Sequence, residues 1–287
     1  GRGPEHIIAM LAINKADACW VMLPEDAPRD RLHQIIADVA LTRVVGLAQN
    51  PRDWPTGITV IDANACEFSP ARPDIPRISD HAYVVFSSGT TGQPKGSLNT
   101  HSGLANMSAW YANACELTPD SVVSAVSNVA FDGLLPEIWP ALMAGAQIVL
   151  IPEDVMRDPW LLAPALQSTR VDTLYLPMGY LDAIAAIDWT WPDGLRRVVA
   201  GGDRLKSYML PPELGLPLLN IYGPSETQSI TSAREIRPDH SGKITIGRPL
   251  PNVRIYILDA MQNPLPIGAV GEIYIAGAGV CGGYVNR

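Results

Sequence analysis

Residues 83–96 read Tyr-Val-Val-Phe-Ser-Ser-Gly-Thr-Thr-Gly-Gln-Pro-Lys-Gly. An apolar β-type run, Tyr83 to Phe86, opens abruptly into hydroxyls and glycines, with Lys95 near the end. The chemistry that suits this composition is the cradling of phosphate. Gly89, Gly92 and Gly96 let backbone N–H groups approach a polyanion without a Cβ in the way. Ser87, Ser88, Thr90 and Thr91 supply hydroxyl donors, and Lys95 supplies a compact positive charge. The Walker pattern does not fit, because Pro94 stands where that pattern needs a glycine followed by Lys-Ser or Lys-Thr. With no phosphate to hold, the same string would be a hairpin tip.

Such a loop needs a rigid frame, and the rest of the chain supplies one. From residue 80 the pattern predicts strands at 83–87, 122–127, 147–151, 173–177, 196–200 and 218–222. Helical stretches near 103–115, 133–144, 160–169 and 178–187 lie between them. Alternation of this kind implies an α/β fold, a mainly parallel sheet covered by helices on both faces. Ligands bind such sheets beyond the carboxyl ends of the strands. The 87–96 loop, Gly201-Gly202-Asp203 and Tyr222-Gly223 are all expected at such ends, on one rim.

Upstream, the order reads helix, strand, helix, strand. Ile7, Ile8, Leu11 and Ala12 suggest a helical face, Cys19 to Leu23 a buried strand and Val44 to Leu47 another. Leu32, Ile35, Ile36 and Val39 recur at helical spacing behind Pro28. Residues 48–79 mix Pro, Asn, Asp and Thr and read as an irregular connection. In the section 244–287, the β-rich runs Val253 to Leu258 and Glu272 to Ala276 predict antiparallel, barrel-like structure. The expected division is 1–79, 80–240 and 241–287.

The 287 residues are 47% hydrophobic and 17% charged, a composition that packs a core. A formal charge of −8 argues against nucleic-acid and anionic-membrane partners, so a polyphosphate would be held by local donors and a metal. Cys19, Cys66, Cys115 and Cys281 are too scattered for a zinc site or a compact disulfide framework, which favours a reduced, cytoplasmic setting. Arg2, Glu5, Lys15 and Asp17 spoil a signal-peptide reading, and no run of about 18 apolar residues predicts a membrane span.

The 83–96 loop resembles the phosphate-loop signature of AMP-forming adenylating enzymes, which include acyl-CoA synthetases, luciferases and the adenylation domains of nonribosomal peptide synthetases. Further signatures of that family follow in order. Asn220-Ile221-Tyr222-Gly223-Pro224-Ser225-Glu226 resembles the Asn-x-Tyr-Gly-Pro-Thr-Glu string of adenylation domains, with Ser225 in place of the usual Thr. There Tyr222 offers an aromatic face for adenine, Ser225 a donor for the α-phosphate, and Glu226 a hard carboxylate for Mg²⁺. Taken alone, the segment is also a tight turn with a solvated Glu. Phe131-Asp132-Gly133 matches the pair whose carboxylate grips a substrate α-ammonium, although Asp132 is locally just as suited to cap the helix that follows. Ala200-Gly201-Gly202-Asp203 lets backbone approach the adenine and the substrate side chain, or is an ordinary β-turn. Ile246-Gly247-Arg248-Pro249 and Gly271 to Ile275 match structural segments. Gly277-Ala278-Gly279-Val280-Cys281-Gly282 is a literal G-x-G-x-x-G, but it matches the Gly-rich turn before Gly283-Tyr284-Val285-Asn286-Arg287 rather than a dinucleotide fingerprint. His101 follows the loop in a Thr-His pair; it is either a group near the carboxylate entrance or, as a lone histidine more often is, simply packed or solvated.

The resemblance implies the large subdomain of an adenylating enzyme, using ATP and Mg²⁺, with Thr91, Lys95, Ser225 and Glu226 catalytic. Nucleotide contacts would come from Ser87 to Gly92, Lys95, Gly201 to Asp203, Asn220 to Gly223 and Ser225. The substrate pocket would be Phe131, Asp132, Gly133, Pro136, Tyr175, Val199, Gly201, Ile221, Ser229 and Ile230. Only Asp132 among these is charged, which implies a neutral amino acid, because an unpaired ion in the pocket would be costly. The aminoacyl-AMP would then load a phosphopantetheinyl carrier domain beside other synthetase domains.

The family's opening helices, its Thr-Gly-Asp segment and its lysine-bearing C-terminal subdomain are not matched, so residues 1–287 alone are expected to turn over little. Lys15-Ala16-Asp17 and Trp20 to Glu25 also depart from the family's usual run. An acyl- or aryl-CoA synthetase and a non-catalytic nucleotide-binding module within a megasynthase are the competing readings.

Overall fold

The computed structural model describes residues 3–23, 27–46, 54–63, 80–88, 94–129 and 131–286. The chain divides into two compact units, Gly1–His101 with Gly282–Arg287, and Ser102–Cys281.

In the first unit, α1 (Pro4–Lys15) leads into β1 (Trp20–Val21), which lies parallel to β4 (His81–Ser88). Asn14 ties the three together, donating to Ala82 O at 2.9 Å and accepting from Trp20 Nε1 at 3.0 Å. The Trp20 ring stacks on Tyr83 with centroids 4.8 Å apart. The face expected on α1 is not the one buried: Met10 is buried, while Ile8 and Ala12 are exposed. Apolar side chains surround this helix, so their spacing carries no direction. α2 (Arg29–Asp38) does bury Leu32, Ile35 and Ile36.

Two strands here lie where the sequence predicted none. β3 (Thr59–Asp62) pairs in parallel with β2 (Arg43–Gly46), inside the stretch expected to be irregular. β5 (Pro94–Thr100) pairs antiparallel with β4 and follows the phosphate loop directly. β4 therefore belongs to a three-stranded sheet, β1-β4-β5, rather than to the large parallel one. Pro-Lys-Gly-Ser-Leu-Asn-Thr has little intrinsic β propensity; pairing on both edges makes it a strand. Its second edge is taken by residues 282–285, with Gly282 N donating to Leu98 O at 2.8 Å, Leu98 N to Gly283 O at 2.9 Å and Val285 N to Gly96 O at 2.9 Å.

The second unit contains most of α3 (His101–Ala114), then β6 (Val122–Ala125), α4 (Leu135–Ala144), β7 (Gln147–Leu150), α5 (Glu153–Met156) and α6 (Pro159–Ser168). β8 (Thr173–Pro177), α7 (Met178–Ala185), β9 (Arg197–Gly201), β10 (Leu218–Tyr222), β11 (Ser232–Ile236) and β12 (Arg248–Pro249) complete its sheet. The strand order is β12-β11-β10-β9-β8-β6-β7, parallel from β10 to β7 with an antiparallel edge at β11 and β12. Leu174, Leu176, Val198, Ala200 and Leu218 share one buried cluster with Leu162 and Leu166 of α6 and Leu181 and Ile184 of α7. The alternate residues Tyr175 and Val199 are buried too, as strands covered on both faces require. β13 (Val253–Leu258) and β14 (Glu272–Gly277) form a two-stranded antiparallel ribbon, close to the runs read from sequence.

Among the described residues no helix is long and apolar enough to cross a membrane. Cys19, Cys115 and Cys281 are free thiols, and Cys66 lies outside the described residues.

Candidate active site

In the first unit the strands on either side of the glycine- and threonine-rich segment, β4 and β5, pair antiparallel. Gly89, Thr90, Thr91 and Gly92 lie outside the described residues. Of the flanking groups, Lys95 is half-buried opposite Ser87, with its Nζ 5.6 Å from the centre of the Tyr284 ring. Gly96 also leaves room for the Phe86 ring. A Cβ at 96 would lie 2.9 Å from Phe86 Cζ and 3.0 Å from Val84 Cγ1. His101 opens α3, with its pKa lowered by burial and adjusted by Asp17 and His81.

In the second unit the chain leaves β6 and makes a 3₁₀ turn at Asp132–Leu134 that runs into α4. No side chain caps either helix, so Asp132 is not spent as a cap. Desolvation raises its pKa against the opposing effect of hydrogen bonds from Ser225 and Ser229, and nearby Glu226 raises it further. Among the described residues no lysine or arginine pairs with it. A carboxylate in that setting favours a cation beside it.

Tyr175, Val199 and Gly201 alternate with the core-facing residues of β8 and β9, and Ile221 does so on β10. Register pairs Tyr175 with Val199, and Pro177 with Gly201. These side chains therefore share one face across three neighbouring strands. Gly201 is required there, since a Cβ would meet Ile221 Cγ1 at 2.6 Å and Ile221 O at 2.9 Å. Val199 has no exposed surface and Ile230 only 1%. Pro136 is buried in the first turn of α4, and Gly133 approaches the Tyr175 hydroxyl. Phe131 stands apart and is 67% exposed.

Beyond β10 the chain turns through Gly223 and Pro224 into a 3₁₀ turn, Ser225–Thr227, and returns along β11. Thr231 N donates to Tyr222 O at 2.7 Å, and the Thr227 and Thr231 hydroxyls pair. Gln228 and Ser229 both hold left-handed backbone, at φ 61° and 67°. Consecutive non-glycine residues in that region are strained, and such strain concentrates where geometry serves function. Here it brings the Ser229 hydroxyl to Asp132 O at 3.1 Å.

Tyr222 alternates away from Ile221 and, by the parallel register, stands level with Gly202 at the adjacent strand end. Asn220 donates to Thr245 O at 3.3 Å, and exposed Asp203 accepts from Arg204 N. Glu226 is half-buried. No group of three or more His, Cys, Asp or Glu gathers among the described residues. Mg²⁺ commonly takes only one or two protein carboxylates with phosphate and water, so Glu226 alone fits that role.

Sequence reasoning passed over two residues. Glu137, fully buried in α4, accepts from Val126 N at 2.9 Å and Ser127 N at 3.0 Å, fixing the turn that carries the chain towards Asp132. The signal for it was a charge inside the otherwise apolar run Leu134 to Ala146. Ser127 is 4% exposed, and nothing in sequence marked it.

A parallel sheet with glycine-lined strand ends, an aromatic at the next end and, beside them, a carboxylate with no cationic partner among the described residues belongs to the adenylate-forming class. The chain is a member of the AMP-binding enzyme family, whose pattern matches residues 1–285. It is 34% identical over 297 residues to a linear gramicidin synthase of Brevibacillus parabrevis, aligning along 100% of this chain and 6% of that protein. A dimodular nonribosomal peptide synthase of Bacillus subtilis (strain 168) is 31% identical, with 12% of its length covered. The chain thus spans a small part of the curated relatives it matches. Among solved structures, a four-domain nonribosomal peptide synthetase bound to AMP and glycine superposes with a TM-score of 0.86 at 26% identity, over 97% of this chain and 21% of that one. The N-terminal subdomain of Klebsiella oxytoca NpsA, in complex with 3-hydroxybenzoyl-AMSN, gives 0.81 at 25% identity, over 99% and 74%.

Proposed function

We propose that this chain activates a neutral α-amino acid. The substrate carboxylate attacks the α-phosphorus of ATP, forming aminoacyl-AMP and releasing pyrophosphate. The aminoacyl group then passes to the phosphopantetheine thiol of a carrier domain in a nonribosomal peptide synthetase.

The observation that carries this reading is Asp132, a desolvated carboxylate with no cationic partner among the described residues, next to a neutral face formed by Tyr175, Gly201 and Ile221. An α-ammonium supplies the missing charge, and a charged side chain would have nothing to pair with. Ser87 to Gly92 and Lys95 hold the phosphates, with Thr91 and Lys95 acting on the reacting phosphate. Tyr222 stacks on adenine, while Gly201 to Asp203, Asn220 and Gly223 border it. Ser225 donates to the α-phosphate and Glu226 binds Mg²⁺, which supplies charge neutralisation when present. Catalysis of this kind is mainly alignment and charge stabilisation.

Aroyl activation is the rival that the NpsA likeness raises. It is disfavoured because an aryl acid leaves Asp132 buried beside it without a counter-charge. The test is calorimetric titration of this chain with sulfamoyl-adenosine conjugates of the proteinogenic amino acids and of benzoate. Preference for a neutral aminoacyl conjugate is expected. Preference for benzoyl, or for Lys, Arg, Asp or Glu, overturns it.

A further inference from the structure

Ser127 follows β6 and has its backbone N–H held by Glu137 at 3.0 Å. Ser127 is 4% exposed, and its Oγ is buried with no hydrogen-bond partner among the described residues. A hydroxyl offers one donor and two acceptor sites, and leaving it unmatched in the interior is costly. Buried groups of this kind in native proteins call for a ligand or an ordered water.

The surroundings favour a ligand. A Cβ built on Gly133 would lie 3.3 Å from Ser127 Oγ and 3.5 Å from the Tyr175 hydroxyl. The space that a side chain at 133 would enter is therefore bordered by two hydroxyls. That space adjoins Asp132, the proposed ammonium anchor, and Tyr175 lies on the face shared with Val199, Gly201 and Ile221. Burial, with Glu137 and Asp132 nearby, raises the Tyr175 pKa, so at neutral pH its phenol stays protonated and able both to donate and to accept.

We infer that Ser127 is a specificity-determining residue, whose hydroxyl acts with that of Tyr175 to select a substrate side chain ending in a neutral hydrogen-bonding group, a hydroxyl or a carboxamide. This rests on the amino-acid-activating reading above. Two hydroxyls match such a group because each can donate or accept as needed, whereas an aliphatic tip leaves Ser127 Oγ unsatisfied in the bound state.

The test compares near-isosteric sulfamoyl-adenosine conjugates, threonyl against valyl and asparaginyl against leucyl, by calorimetry on the whole chain. The polar member of at least one pair is expected to bind tighter by about tenfold or more, since a site built around a hydrogen bond rejects the analogue lacking it. Ser127→Ala should abolish that preference, and Ser127→Cys should keep only part of it. The ratio in the unaltered protein decides the matter even if a variant folds poorly. Aminoacyl conjugates that bind with no preference for the polar member, or with a preference that survives in Ser127→Ala, overturn the role of Ser127 alone. If no aminoacyl conjugate binds, the amino-acid reading falls and the role of Ser127 falls with it.

Discussion

Replacing Asp132 with Asn tests the proposed anchor most directly, because it should move stability and binding in opposite directions. In the ligand-free protein the Asp132 carboxylate is desolvated and lies near Glu226, and its pKa is raised above the ordinary 3.8. A carboxylate with a raised folded-state pKa contributes stability that is fully present below 3.8 and is lost as pH rises through the folded value. Asp132→Asn removes that loss, so the ligand-free variant should melt higher at neutral pH; a gain of about 1 kcal/mol corresponds to a rise of roughly 2–4 °C. Binding should respond the other way. Removing one partner of a buried ion pair costs about 3–5 kcal/mol. Asp132 keeps some exposed surface and Glu226 leaves negative charge nearby, so the lower end applies. A loss of about 3 kcal/mol is a weakening of roughly a hundredfold or slightly more. The assay is calorimetric titration with an aminoacyl-sulfamoyl-adenosine and with the same conjugate lacking its α-amine. Only the amine-bearing ligand should weaken in the variant, and only with Asp at 132 should its affinity fall as pH drops towards and below the Asp132 pKa. Equal loss for both ligands, or a change of less than about threefold for the amine-bearing one, refutes Asp132 as the ammonium site.

Gly201→Ala would force a Cβ to within 2.6 Å of Ile221, and overpacking of this kind costs about 1–3 kcal/mol, measurable as a lower urea midpoint together with weaker ligand binding. Glu137→Leu strands the N–H groups of Val126 and Ser127, each worth about 1–3 kcal/mol if left unsatisfied; an unchanged thermal midpoint would show that this carboxylate does not hold the turn. Gly96→Ala should destabilise the first unit by crowding Phe86, and Phe86→Leu should recover part of the loss in a double-mutant cycle, whereas strictly additive losses would contradict that contact.

Much of the architecture was legible because its strands carry strong local patterns. Tyr83 to Phe86, Thr173 to Pro177 and Val253 to Leu258 are runs rich in apolar, β-branched or aromatic residues, and each lies within a strand of the structure. β5 was hidden because its residues are indifferent to β structure and are recruited by partners on both edges. β3 was hidden by its neighbours, although Thr-Val-Ile-Asp has the right composition. At the site, Asp132 and Tyr222 stand out through motifs. Ser229, 97 positions from Asp132, reaches it only because a strained turn brings the chain back. Ser127 and Glu137 act through burial, and no local pattern in the chain reports how deeply a serine will sit.

The two-residue repeat of β9 and β10 has a consequence for how this scaffold diversifies. Positions 199, 201 and 221 look one way, whereas 202 and 222 look the other. Under the proposed roles, the monomer-facing Ile221 and the adenine-stacking Tyr222 lie on opposite sides of the same short ribbon, and Gly201 serves both ligands. An exchange at Ile221 can retune which building block is taken while Gly202 and Tyr222 keep holding the common cosubstrate, with Gly201 fixed between the two roles. One sheet thereby offers a fixed half and a variable half, and new selectivities need not disturb the shared chemistry.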